Sequence, residues 1–190
     1  MRRAFIRAFV ALIIFAAAAP LTAAAQDSVA LPPAALKDFQ ERLNAYLKLR
    51  AELAKPLTPL APTGSSSELT ARQDALAAAL RTARRSAKQG ELIPSAIAAY
   101  IAKTVMDDFH FRNPQVKEAA LGEVAVRSRP VINRPFPADA PLPTVPPLLL
   151  QKLPPLPDNL QYRFYGRHLV LIDGDTEIIT DYVINVLPPI

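Results

Sequence analysis

Apolar residues recur at spacings of three and four along the first half of the chain, the pattern of amphipathic helices. We expect one helix to begin at Pro33, whose missing N–H is harmless in a first turn, and to end before Pro56. Its apolar face consists of Leu36, Phe39, Leu43, Tyr46, Leu47 and Leu53. We expect another helix to open after Pro94. Its apolar face consists of Ile97, Tyr100, Ile101, Val105 and Phe109.

Capping signals delimit two more helices. Ser65 and Glu68 form a Ser-x-x-Glu capping box, and the helix that they start is expected to continue to Gly90, a typical residue just beyond a helix end. Its apolar face consists of alanines and of Leu69, Leu76 and Leu80. Because alanine allows close approach, we expect this helix to pack tightly on the first one. Asn113, followed by a proline, predicts a short fourth helix.

Strict alternation of polar and apolar residues begins only near the C-terminus. Residues 160–165 alternate and predict a first strand, and Gly166 starts a tight turn. The second predicted strand, His168 to Ile172, is apolar on both faces. An Asp-Gly pair at 173–174 is a strong hairpin signal, and a third strand is expected from Glu177 to Ile184. The pattern predicts a three-stranded antiparallel meander.

The middle strand cannot be covered by three strands alone, because both of its faces are apolar. One face must meet the helices. The other face carries Val170 and Ile172, and it must meet a proline-rich arm, a second subunit or a partner. We therefore name these two residues as candidate interaction residues. The arm has ten prolines between positions 130 and 157, which favour extended and turn conformations, with a single helical turn expected after Thr144.

These elements predict an α+β fold. A four-helix N-terminal part is followed by a Pro-rich arm and a C-terminal three-stranded antiparallel β-meander. We divide the chain into a signal peptide (1–25), a helical domain (26–128), a Pro-rich arm (129–158) and a β-meander packed on the helical part (159–190).

The N-terminal residues have the three parts of a secretory signal peptide. Arg2, Arg3 and Arg7 form a positive region, residues 8–19 are apolar, and small residues precede Gln26. The apolar run is too short for a comfortable transmembrane helix. We expect cleavage near Ala25, a periplasmic or secreted protein, and no integral membrane span after cleavage.

Composition narrows the classes of function. The formal charge of +5 falls to about +2 without the three leader arginines, so we expect no nucleic-acid partner. The chain has no cysteine, which excludes disulfides, thiolate metal sites and thiol catalysis. Neither a phosphate-binding glycine loop nor a G-x-S-x-G motif is present. We predict a non-enzyme with no cofactor, whose partner is an envelope protein or a second copy.

Two acidic stretches invite a metal-site interpretation. Asp173, Asp175 and Glu177 place three carboxylates in five residues, which suits a hard cation such as Ca²⁺, but a solubilising hairpin turn explains them as well. The second stretch is Asp107, Asp108 and, after one intervening residue, His110. His110 and His168 are the only histidines. We favour ordinary turn and helix-end roles and assign no metal ligands.

A basic stripe is predicted at the end of the second helix. Arg81, Arg84, Arg85 and Lys88 recur at i, i+3, i+4 and i+7 and so share one helical face. Such a stripe suits anionic lipid, lipopolysaccharide or an acidic partner. Its alternative role is to interact with the negative end of the helix dipole.

Two motifs carry resemblances. The ending LPPLPDNLQYRFYGRHLVLIDGDTEIITDYV, with the upstream RLNAYLKLRAEL, resembles an uncharacterised family of small secreted bacterial proteins. That resemblance implies a helical N-terminal half and the C-terminal meander, without an activity. Residues 69–73, LTARQ, resemble the LTxxQ motif of periplasmic helical chaperones and metal-stress proteins. This second resemblance implies an envelope-stress chaperone as the alternative function.

Overall fold

The computed structural model describes residues 30–57, 65–113, 129–137 and 145–188. They form an α+β fold whose strands make one antiparallel sheet in the order β1-β2-β3. The elements are helices α1 (Pro33–Ala54), α2 (Ser66–Ala83), α3 (Ser95–His110) and α4 (Pro147–Leu150), and strands β1 (Leu160–Tyr165), β2 (His168–Asp173) and β3 (Ile179–Val183). The predicted signal peptide and the helix predicted after Asn113 lie outside the described residues. None of the helices within these ranges is long and apolar enough to cross a membrane.

The helix starts follow the local signals. Pro33 occupies the first turn of α1, and α3 begins directly after Pro94. At the start of α2 the capping box is complete: the Ser65 hydroxyl accepts from the backbone N–H of Glu68, and the Glu68 carboxylate accepts from that of Ser65. The single turn predicted in the arm is α4, which begins after Pro146; Thr144, the cap predicted for it, lies outside the described residues. The start signals of α1, α2 and α3 are confirmed.

The end of α2 was predicted wrongly. The helix stops at Ala83 and does not continue to Gly90. The residues between them form turns and irregular backbone, and the φ of Gly90 is +86°. A buried carboxylate on β3, described below, binds backbone N–H groups in this loop. That long-range contact draws the chain out of the helix before its local end signal.

The third strand begins later than predicted. Glu177 has a φ of +52°, in the left-handed region, and Ile178 forms only an isolated bridge with Pro135. Regular pairing with β2 starts at Ile179, and the register shifts between Leu171 and Ile172. The first two strands pair without interruption from Leu160 to Asp173, as the alternation predicts.

The main core lies between the helices and one face of the sheet. Leu169 and Leu171 of β2 point to this side and are at most 1 % exposed. They share one cluster with side chains of the three long helices. Its most buried helical members are Phe39, Leu43, Leu80, Ile97 and Ile101. Each such side chain contributes about 2 kcal/mol through removal from water.

The other face of β2 is covered by the arm. Val170 and Ile172 are 0 % exposed and cluster with Phe136 of the arm and with Tyr165 and Ile179 of the sheet. Of the three coverings that the sequence left open, the structure therefore has the arm. Val170 and Ile172 are core residues and offer no accessible interaction surface, so their assignment as interaction residues is wrong.

Candidate functional site

The predicted basic stripe does not form, because α2 ends before it. Arg81 lies in the last turn of α2, whereas Arg85 and Lys88 are exposed in the loop that follows. Arg84 turns inward and is only 4 % exposed. The four residues therefore do not share one helical face, and the guanidinium of Arg84 is buried instead of exposed beside the others.

Arg84 instead fastens the loop to the sheet. Its Nη2 donates to the carbonyl oxygen of Thr180 at 3.1 Å and to Oε1 of Glu91 at 3.3 Å. The guanidinium carbon lies 5.1 Å from the centre of the Tyr46 ring, a cation–π distance. Asn133 of the arm donates to the Arg84 carbonyl at 2.6 Å. This arginine holds α1, the loop, the arm and β3 together, which is a structural role.

The acidic turn after β2 is built around a buried carboxylate. Oδ2 of Asp173 accepts from Nε of Arg50 and from the hydroxyl of Tyr46, both at 2.8 Å. Oδ1 accepts from the backbone N–H groups of Asp175 and Thr176 at 3.2 and 3.1 Å. Both oxygens of Asp173 are thus occupied by donors of the protein itself.

The other two acidic residues do not complete a cation loop around it. The carboxylate of Asp175 also binds Arg50, while Glu177 is exposed. Among the described residues no group of three or more acidic, histidine or cysteine side chains lies in a metal-binding arrangement. The acidic turn is therefore structural: Arg50 of α1 binds Asp173 and Asp175, and Glu177 is an exposed residue of the same turn.

The surroundings of Asp173 fix the protonation of its partners. Burial, followed by the charge and hydrogen bond of Asp173, raises the pKa of Tyr46, so the phenol stays protonated and donates. Burial lowers the pKa of Arg50, but the charge and hydrogen bond of Asp173 outweigh that effect and raise it overall. Tyr46 and Arg50 are therefore both protonated near neutral pH.

A second buried carboxylate, Asp181 of β3, organises the loop between α2 and α3. Its oxygens accept from the backbone N–H groups of Gly90, Leu92 and Ile93 at 2.8–2.9 Å, and from that of Tyr182 at 2.8 Å. Burial raises the pKa of Asp181, although these four donors act in the opposite direction. The sequence gives no signal for the role of Asp181, because it has the pattern of an ordinary polar residue in a strand.

The two histidines have unrelated surroundings. His110 is exposed at the end of α3, and the aspartates before it are engaged elsewhere: Asp107 with Lys103 and Asp108 with Arg112. His168 is 9 % exposed, and its Nδ1 accepts from the backbone N–H of Asn185 at 3.1 Å. The structure does not bring the histidines together.

The LTxxQ residues lie on the first turns of α2. Leu69 is 43 % exposed, and Thr70 Oγ1 donates to the carbonyl oxygen of Ser66 at 3.0 Å. That bond is an ordinary contact of threonine within a helix. Leu69 is therefore a surface side chain rather than part of the predicted apolar face.

An apolar groove with a volume of about 420 Å³ lies beside β1. One wall is residues 160–164 of β1. The rest of the lining is the proline segment 154–156, Leu150 of α4, Phe136 and Val145. A second groove of about 290 Å³ lies between α1 and the same segment, since Pro155 and Leu156 line both. The proline-rich entry to the meander thus has an open groove beside it.

One charged side chain, Arg163, is present among the residues that line the larger groove. Its guanidinium carbon lies 5.5 Å from the centre of the Phe136 ring, and Nη2 is 3.4 Å from Oε1 of Gln161. No acidic side chain of the described residues forms an ion pair with it. The groove is therefore apolar with one half-buried positive charge.

Searches of protein-family models, of curated proteins and of solved structures returned no match to this chain. The resemblances to a secreted family and to LTxxQ proteins remain predictions. The functional interpretation rests on the geometry of the chain itself.

The groove was missed in the sequence because its parts are far apart there. The lining comes from the arm, α4, the proline segment and β1. The sequence of each segment alone contains no pattern typical of a binding site. One signal was available: Arg163 occupies a polar position on a strand at the edge of a three-stranded sheet. Only the packing of Phe136 and Leu150 beside that strand turns the position into the charged point of an apolar groove.

Proposed function

We propose that this chain is an exported, non-catalytic protein of the cell envelope that binds a segment of another protein in the groove beside β1. The observation that carries the proposal is the groove itself, with apolar walls and the single charge of Arg163. Apolar clefts with few, well-placed polar groups are the usual form of binding sites. The buried carboxylates of Asp173 and Asp181 are, in contrast, occupied by internal hydrogen bonds.

Export is supported by the three-part pattern of the leader. We expect the mature protein in the periplasmic fraction, with Gln26 as its first residue by mass spectrometry. The variant Ile13→Arg, which interrupts the apolar run, is expected to accumulate uncleaved in the cytoplasm. A full-length chain that stays in the membrane fraction would contradict this part of the proposal.

Binding is testable by photo-crosslinking in the producing cell, because α4 offers a matched pair of positions. Leu150 is 44 % exposed and lines the groove, whereas Leu148 is 70 % exposed and does not. A photoreactive phenylalanine analogue at Leu150 is expected to give a discrete adduct with another polypeptide. The same analogue at Leu148 is the control. Identical adducts at both positions, or none at Leu150, would refute binding in the groove.

A periplasmic chaperone is the second candidate, and the exposure of Leu69 on α2 favours it. On this reading the mature protein suppresses the aggregation of an unfolded client, and Leu69→Ala weakens that effect. Light scattering of a thermally unfolded client measures it. No suppression at a molar excess of the mature protein would exclude this candidate.

A further inference from the structure

We infer that the groove takes its ligand as an added β-strand on the free edge of β1, with a carboxylate of that strand paired to Arg163. The inference rests on the proposed binding function, and it names the chemistry of the partner. The ligand is an extended segment of another protein in which an acidic residue stands among apolar ones.

The direction of the backbone groups of β1 supports this strand addition. The Gly174 N–H donates to the Asn159 carbonyl at 2.8 Å. Because hydrogen-bonded pairs alternate along an antiparallel ladder, Gln161 and Arg163 also direct their backbone groups toward β2. The N–H and C=O groups of Tyr162 and Phe164 therefore point away from β2, to the edge of β1 that no other strand of the described residues covers.

These edge groups have no backbone partner within the described part of the chain. Both residues line the groove, so an extended chain lying there meets their donors and acceptors directly. An unpaired strand edge is a template for another strand, and edge addition is a common mode of peptide recognition. A lipid tail in the same groove would leave those polar groups unpaired, which is unfavourable away from water.

The opposite edge of the sheet, along β3, is paired with the arm through backbone hydrogen bonds. Beside β3, Asn133 N–H donates to the Ile179 carbonyl at 2.8 Å, and Ile179 N–H donates to the Arg134 carbonyl at 2.9 Å. The Phe136 N–H donates to the Glu177 carbonyl at 2.7 Å. The arm thus covers the β3 edge with backbone hydrogen bonds. The described residues provide no equivalent at β1.

Arg163 determines the charge of the partner. Among the described residues it is the one charged side chain that lines the groove, and its contacts with the aromatic ring of Phe136 and the amide of Gln161 supply no counter-ion. On an added strand the residue opposite Arg163 comes within reach of its side chain, and an opposite charge there is favourable. Two copies of β1 paired so that Tyr162 faces Phe164 would place Arg163 opposite itself, which argues against a second copy in that register.

Amide hydrogen exchange of the mature protein tests the inference at single residues. Without ligand, the amides of Tyr162 and Phe164 are expected to exchange faster than those of Arg163 and Tyr165, which face β2. The probe is a soluble peptide of alternating valine and threonine with a central glutamate. It should slow exchange at Tyr162 and Phe164 by about tenfold or more. The matched peptide with lysine in place of glutamate should bind about tenfold more weakly.

The variant Arg163→Gln provides the protein control. It is expected to remove the difference between the two peptides while leaving the exchange of the β2 amides unchanged, which verifies its fold. Fast exchange at Tyr162 and Phe164 in the presence of the glutamate peptide would overturn the inference. So would protection of those amides in the dilute free protein, since the chain would then cover its own edge. Protection that grows with protein concentration alone would assign the edge to a second copy.

The two proposals fail separately. A specific adduct at Leu150 without peptide protection at Tyr162 and Phe164 would leave the binding function standing and refute strand addition. Absence of a specific adduct at Leu150 refutes the binding function.

Discussion

Nε of Arg50 lies 2.8 Å from Oδ2 of Asp173, and this ion pair joins helix α1 to the turn after β2. The two residues are 123 positions apart in the chain. Asp173 is fully buried and the Arg50 side chain is 13 % exposed, so salt screens the pair only weakly. The contact therefore couples the helices to the sheet.

Loss of the Arg50 charge should be strongly destabilising. In Arg50→Met the carboxylate of Asp173 stays buried without its counter-ion, and we expect a loss of about 3 kcal/mol or more in the free energy of unfolding. Urea denaturation followed by circular dichroism measures it. The control is Lys37→Met, which removes a highly exposed partner of Glu41 and should change stability by no more than about 0.5 kcal/mol. Equal losses in both variants would contradict this account of the pair.

Asp181 should be the most sensitive side chain of β3. In Asp181→Asn one acceptor oxygen becomes a donor facing the N–H groups of the loop, and we expect a loss of about 3 kcal/mol. The amides of Gly90, Leu92 and Ile93 should exchange faster in this variant. Asp158→Asn, at an exposed position, is the matched control and should leave those amides unchanged. A stable variant with unaltered exchange would show that the carboxylate does not hold the loop.

His168 should make stability fall as the solution becomes mildly acidic. Burial and the positive charges of Arg129 and Arg167 lower its pKa in the folded protein. The unfolded chain, with a pKa of about 6.5, then binds the proton more readily, so the free energy of unfolding decreases as pH falls through about 6.5. We expect His168→Gln to weaken this decrease, measured by urea unfolding at about pH 7.5 and about pH 6.

A second buried group contributes to the pH dependence of stability. Asp181 acts in the opposite sense, because its raised pKa lets the folded state bind more protons below that pKa. A decline that persists in His168→Gln would assign it to another group.

The turn after β2 should not bind Ca²⁺ tightly. The guanidinium of Arg50 already binds the carboxylates of Asp173 and Asp175. A cation must therefore displace this guanidinium and break its two hydrogen bonds. We expect no calorimetric signal when the mature protein is titrated with calcium chloride. A clear signal that disappears in Asp175→Asn would reverse this interpretation.

The sequence was sufficient for those features that depend on neighbouring residues. Alternation and the turn at Gly166 predicted the hairpin of β1 and β2, and the capping box predicted the start of α2 at Ser65. Both signals are local, because a strand face or a helix cap is completed by residues a few positions away. The fold class followed from them.

Features that depend on distant partners could not be predicted in this way. Arg84 has the spacing of a surface stripe, but Thr180 and Tyr46 hold it inside the protein. Val170 and Ile172 looked like an open face because nothing in the pattern placed Phe136 above them. The groove depends on the same kind of contact. In each case, packing between distant segments decided whether a side chain is buried or exposed.

The two buried carboxylates also impose an order on folding. Asp173 and Asp181 lie late in the chain, whereas Arg50 and the loop at Gly90, which they hold, are synthesised early. Before β2 and β3 are synthesised, Arg50 lacks the carboxylate of Asp173, and the loop N–H groups lack that of Asp181. We therefore expect the growing chain to remain largely unfolded over most of its length. A secretion channel that passes only unfolded polypeptide could therefore accept nearly the whole protein before folding begins to resist transport.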